Sequence, residues 1–153
     1  MDEYIKSKII FEISQIDTLM DKSSILAQKC KIKEPDFIEI NAAASTLHSY
    51  YNGLENIFLL ISKNIDKSSL QSQKWHRELL ESMFNSTDIR AAVIDRDLYE
   101  QLFDYMSFRH VFRHSYSYAL DWGRLNPLFS SMYENWVKVK NCLEIFTEER
   151  EEK

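Results

Sequence analysis

From Phe37 to Ile65 one apolar row runs without a break: Phe37, Ile40, Ala44, Leu47, Tyr51, Leu54, Phe58, Ile61 and Ile65, alternating spacings of three and four residues. That alternation matches the period of an α-helix and not the period of two of a strand, so it draws a single seam along one long helix. A seam of this length has to be covered along its whole course, and its partners must therefore be long helices too. Gly53 interrupts it at a cost of about 1 kcal/mol in helix propensity, which predicts the close approach of another backbone at that point.

The rest of the chain supplies the partners. Ile5, Ile9, Ile13, Ile16 and Met20 mark a first helix over residues 2–31, and "KIKEPD" reads as a loop. Pro35 suits the first turn of the second helix, where it has no N–H to lose. The polar "DKSSLQSQ" reads as a loop and "QKWHRELLESMF" as a short helix with Trp75, Leu79 and Met83 on one face. After the irregular "NSTDIRAAVIDRD", a fourth helix starts near Asp95 or Asp97 and carries the row Leu98, Leu102, Tyr105, Arg109, Phe112 and Tyr116. "LDWGRLN" reads as a turn with Gly123 available for a left-handed residue, and Asn126-Pro127 as the cap and first turn of a last helix bearing Leu128, Met132, Trp136, Val139, Leu143 and Phe146. The expected architecture is all-α: a bundle of four long helices plus a short one, in a single domain over residues 1–147, with an acidic tail at 148–153.

Composition closes other routes. Two glycines and two prolines in 153 residues leave few of the turn signals that a sheet architecture needs. The net charge of −5 opposes diffuse binding to nucleic acid, which draws on basic surface, so any RNA contact has to be local. The richest apolar run, "GLENIFLLI", is too short to span a bilayer and carries a glutamate, so no membrane association is expected. Cys30 and Cys142 are far apart, and no secretory leader is recognised; the expectation is a reducing, cytoplasmic setting. The closing "TEEREEK" reads as a solvated, frayed end.

Against this background the segment "FRHVFRHSY", residues 108–116, is unusual, because it sets two arginines, two histidines and a tyrosine on the fourth helix. With Arg109 at 0°, an ideal helix puts Arg113 at about 40°, His110 at about 100°, His114 at about 140° and Tyr116 at about −20°. His114 also lies about 7.5 Å further along the axis than Arg109, so one undistorted helix does not bring both to one phosphate. A local distortion does, and so does a second copy related by a two-fold axis, which is the simpler solution. The residues equally allow Arg109 to snorkel to solvent and both histidines to be ordinary surface groups.

Chemically the set suits a phosphodiester. Arginine presents a planar fork of donors to phosphate oxygens, and histidine transfers protons in both directions near neutral pH. RNA cleavage needs a base for the 2′-hydroxyl, an acid for the leaving oxygen and positive charge for the phosphorane, and it needs no metal. His110 and His114 have the i, i+4 spacing of zinc ligands, but no H-E-x-x-H and no third ligand accompany them; neither metal nor cofactor is expected. No glycine-rich phosphate loop and no G-x-S-x-G are present. His48 and His76 read as structural.

Arg109, His114 and Tyr116 together form R-x-x-x-x-H-x-Y, which resembles the signature of the HepT-like toxins of the HEPN superfamily. "YYNGLENIFLLI", "WHRELLESM" and "IRAAVI…YMSFRHVFRHSYSYALDWGRLNPLF" resemble further segments of that family, over roughly residues 40–135. Ala91 departs from the family's usual Arg-Pro. The resemblance implies a homodimeric HEPN domain acting as the toxin of a toxin–antitoxin system, a metal-independent endoribonuclease whose products end in 2′,3′-cyclic phosphate. Arg109 and His114 are then the catalytic pair, with Arg113 and His110 as supporting RNA contacts. The implied partner is a nucleotidyltransferase antitoxin of the MntA type, which transfers AMP to Tyr116. The alternative is a helical binding subunit for that transferase that cleaves nothing. On the catalytic reading, His114→Ala and Arg109→Ala abolish cleavage and leave the bundle folded. Apart from modification, Tyr116 reads as a core tyrosine whose hydroxyl reaches the cleft edge.

Overall fold

A computed structural model of the protein describes residues 1–150. Five α-helices follow in order: α1 (Glu3–Ile32), α2 (Phe37–Asn64), the short α3 (Trp75–Phe84), α4 (Arg96–His114) and α5 (Trp122–Glu149). A 3-10 turn (Ser117–Ala119) joins α4 to α5, and there is no strand among the described residues. Four long helices and a short one are what the apolar rows require.

α2 is the centre, with α1, α3, α4 and α5 all packed against it. Its seam explains this: Ala44, Leu47, Tyr51, Leu54, Phe58 and Ile61 are buried, and only Phe37, in the first turn, stands exposed. Beside Gly53, a built Cβ falls 2.9 Å from Ile16 Cγ1 and 3.1 Å from its Cδ1. The expected close approach is therefore real, but a side chain of α1 makes it rather than a backbone.

Side-chain caps set the helix starts. Asp36 and Glu39 form a capping box, the Asp36 carboxylate accepting from Glu39 N at 2.8 Å and the Glu39 carboxylate from Asp36 N at 3.2 Å. Pro35 thus stands in front of the cap and not inside the helix. Of the two candidate caps for α4, Asp95 is the one used, accepting from Leu98 N at 2.8 Å.

α5 departs most from expectation. "LDWGRLN" is not a turn: Asp121 caps the helix, its side chain accepting from Gly123 N at 3.0 Å, and the helix begins at Trp122. Gly123 has no positive φ, and Pro127 lies within the helix. Proline is tolerated there because the carbonyl it leaves without a helical partner, that of Gly123, is exposed, as Pro127 is, and water can donate to it. Leu125, buried in that turn, gives the early start an apolar anchor. At the other end α5 runs through Glu149, and Arg150 Nη2 donates to Ile89 O at 3.1 Å, so the charged end is partly helical; residues 151–153 lie outside the described residues.

Two buried polar groups lock the bundle. Asn135 of α5 accepts from Tyr50 Oη at 2.5 Å and donates to Gln101 Oε1 at 2.9 Å, joining α2, α5 and α4. Arg90 binds Asp66 through Nε and Nη2 at 2.7 and 2.8 Å and also donates to the carbonyls of Ser82, Asn85 and Ala91. It fastens the irregular stretch before α4 to the end of α2. Among the described residues no helix is long and apolar enough to cross a membrane.

Candidate functional site

α4 carries its charged residues on two different faces. Arg109 points inward: its Nε donates to Asn52 Oδ1 at 2.7 Å, and its Nη1 lies 3.5 Å from Glu55 Oε1. Asn52 and Glu55 are three residues apart on α2, hence neighbours on one helix face. α3 adds His76 in its first turn, where the ring lies against Trp75 with centroids 3.6 Å apart. His76 Nδ1 is 2.8 Å from Glu55 Oε2 and 3.1 Å from Arg109 Nη1. One ring nitrogen serves one role; with Nδ1–H donated to the carboxylate, Arg109 Nη1 is left to the other carboxylate oxygen. The Glu55 side chain is only 5% exposed and that of Arg109 15%. A carboxylate buried this deeply requires a cation, so the pair is mutually dependent. Snorkelling of Arg109 is excluded.

The network extends to His48. Arginine only donates, so the Asn52 oxygen faces Arg109 and its amide nitrogen donates to His48 Nε2, at 3.0 Å. The imidazole proton is then on Nδ1, which is buried and has no partner. Burial, followed by the nearby Arg109 and Arg113 charges, holds His48 below the ordinary histidine value of 6.5. Its ring rests on Phe112, centroids 4.9 Å apart.

His110, Arg113 and His114 all face solvent, with the two imidazoles 4.6 Å apart, centroid to centroid. Because α4 is continuous helix to His114, Arg109 and His114 diverge as on an ideal helix, and no hydrogen bond joins them. Within one protomer the expected pair is not brought together. Arg109 meets Glu55, Asn52 and His76 instead.

Tyr116 is not on α4, because Ser115 is extended and ends the helix. The ring is 75% exposed, so it is no core tyrosine; it stacks on Tyr118, itself 76% exposed, with centroids 5.5 Å apart and planes within 10°. Asn41 of α2 holds the turn by donating to Ser117 O at 3.2 Å. Among the described residues no three His, Cys, Asp or Glu side chains are grouped to hold a metal ion.

Sequence reasoning missed Asn52 and Glu55 and set His76 aside as structural. One signal was present: Glu55 interrupts the most apolar run of the chain, directly after the seam residue Leu54. An acid there either ends the run or is paired across the core.

A central α2 ringed by four helices, with a buried Arg–Glu pair beneath the exposed basic end of α4, defines an all-helical bundle with a local cluster of cationic and imidazole side chains. The model of the HepT-like protein family matches residues 42–150, which takes in α2 almost whole and everything after it. The chain belongs to that family, within the HEPN superfamily. α1 lies outside the matched span. No curated protein and no solved structure matches the chain.

Proposed function

We propose that the protein is a toxin of a toxin–antitoxin system: an endoribonuclease, independent of metal, that works as a homodimer in the cytoplasm, with Arg109 and His114 as its catalytic residues. The observation that carries this reading is the setting of Arg109. A buried ion pair contributes little net stability compared with an apolar replacement, so the Arg109–Glu55 contact is better understood as a means of fixing a guanidinium. Nε and Nη1 are engaged inward, which leaves Nη2 for a phosphate oxygen. Membership of a superfamily associated with RNA cleavage supports the same direction.

A second copy supplies what one protomer lacks. Two α4 ends meeting about a two-fold axis set the Arg109 of one copy near the His114 of the other. One imidazole takes the 2′-hydroxyl proton as the 2′-oxygen attacks phosphorus. An imidazolium then gives a proton to the departing 5′-oxygen, while Arg109 stabilises the phosphorane. Arg113 and His110, both exposed, add charge for the RNA backbone.

Tyr116 is the proposed acceptor for AMP from a nucleotidyltransferase antitoxin of the MntA type. Its exposure leaves the hydroxyl accessible to that partner. A phosphodiester there sets an anion beside the basic end of α4, where it competes with RNA.

The test is purified protein on total RNA with a chelator present, and His114→Ala as control. Cleavage by the parent chain alone, leaving 2′,3′-cyclic phosphate ends, is expected. Ends carrying 5′-phosphate, or equal cleavage by the variant, would overturn the mechanism; tight transferase binding without any cleavage selects the binding-subunit alternative.

A further inference from the structure

We infer that Tyr118 is a stacking seat for an unpaired nucleobase of the RNA, and so a positioning residue for the substrate; the inference rests on the endoribonuclease reading above. Three observations carry it. First, the Tyr116 and Tyr118 rings are three-quarters exposed and parallel, touching one another and leaving their outer faces to water. Rings this exposed add little to the core, and a parallel exposed pair offers an outer face on which a further ring can stack.

Second, the backbone of the pair is held in place. Tyr116 O accepts from Ala119 N at 2.9 Å, closing the 3-10 turn that carries Tyr118, and Asn41 ties Ser117 O to α2, so the backbone bearing both rings is fixed. Ordering of the backbone is then already complete at the moment of binding, and only the two side chains remain to be fixed. Third, the pair directly follows Arg113 and His114, the basic last turn of α4. Cations along a backbone path with an aromatic face beside them are the means by which proteins bind single strands, whose bases are free to splay out; the bases of a duplex are already stacked on each other. In a chain of net charge −5, this local pairing of cation and ring is what an RNA contact requires.

The experiment uses the whole protein and a short, labelled 2′-O-methyl oligoribonucleotide, which offers no 2′-hydroxyl to attack, beside the same strand made abasic. Tyr118→Ala is expected to weaken binding of the base-carrying strand by about fivefold to a hundredfold, the usual effect of removing one stacking ring, and to leave the abasic strand unchanged. Tyr118→Phe, which keeps the ring, should bind like the parent. On cleavable RNA, Tyr118→Ala should raise KM and keep kcat.

Equal binding by parent and Tyr118→Ala, or the same loss on both strands, overturns the seat. Displacement of the strand by free AMP as effective as by unlabelled strand does so too, since the site would then serve a mononucleotide. The two readings fail separately: cleavage with no effect of Tyr118→Ala removes the seat alone, whereas base-dependent binding without cleavage leaves the seat and removes the nuclease.

Discussion

Arg109 and Glu55, on α4 and α2, meet beneath the surface, with Nη1 3.5 Å from Oε1 and both side chains largely shielded from water. Asn52 and His76 complete the grip, so Arg109 is held inward while Arg113, one turn further along and about 40° round the helix, reaches solvent. His114, about 140° round the continuous helix from Arg109, diverges from it: one is held by the core, the other is exposed at the helix end.

The pair alters what a truncation of Arg109 should do. Arg109→Ala leaves Glu55 buried without its cation, and breaking such a pair costs about 3–5 kcal/mol. Loss of cleavage in that variant therefore comes with loss of stability, contrary to the simple expectation of an intact bundle. Arg109→Ala combined with Glu55→Gln should recover most of the stability in urea unfolding and none of the cleavage. A double variant as unstable as the single one would show that the carboxylate is not what Arg109 compensates.

His114 provides the cleaner test. Exposed and held only by its neighbour His110, it should accept alanine with a stability change within about 0.5 kcal/mol. Cleavage should vanish all the same. Were the melting temperature to fall as far as in Arg109→Ala, the lost activity would say nothing about proton transfer.

Modification of Tyr116 is readable by mass. Co-expression with the nucleotidyltransferase should raise the intact mass in AMP-sized steps, and Tyr116→Phe should abolish the increments. Because the ring is 75% exposed, the substitution should leave thermal stability within about 0.5 kcal/mol of the parent. Increments that survive in Tyr116→Phe would transfer the acceptor role to another residue, Tyr118 being the nearest exposed phenol.

Much of this arrangement is legible in the sequence, for reasons that differ by element. The α2 seam fixes a helix because its period extends over many turns, and Asp95 marks the start of α4 because a short acidic side chain satisfies free N–H groups, whereas at α2 the Pro35 signal stands one residue before the Asp36 cap that sets the start. The start of α5 is illegible because Pro127 is the stronger local signal, and only the burial of Leu125 and the Asp121 cap override it. Tyr116 continues the α4 row in register, and nothing local announces that the helix stops at His114. Partners of Arg109 lie 57 and 54 positions away on α2, and pairing over such separations leaves no periodic trace.

The His48 ring makes stability depend on pH. Its pKa is depressed in the folded chain and ordinary, near 6.5, in the unfolded one. Below 6.5 the unfolded state takes up the proton first, so this contribution is complete above that pH and is lost as pH falls towards the folded value. Against His48→Gln, which does not titrate, the parent's thermal midpoint should decline between about pH 7 and pH 5. Parallel profiles would mean that the neutral imidazole is not required.

Gly53 tests whether the α1–α2 contact is as tight as its geometry implies. Alanine gains about 1 kcal/mol in helix propensity, but its Cβ would stand 2.9 Å from Ile16 Cγ1, and Ile16 is packed in the core at 2% exposure, so the core must shift to admit it. Overpacking of this kind costs about 1–3 kcal/mol, so Gly53→Ala should be destabilising. In an Ile16→Ala background the obstruction is gone and the same change should become stabilising, because the methyl group then fills part of the cavity. The sign reversal, measured by urea unfolding of the four chains, isolates the contact from propensity; a Gly53→Ala effect identical in both backgrounds would place the constraint elsewhere.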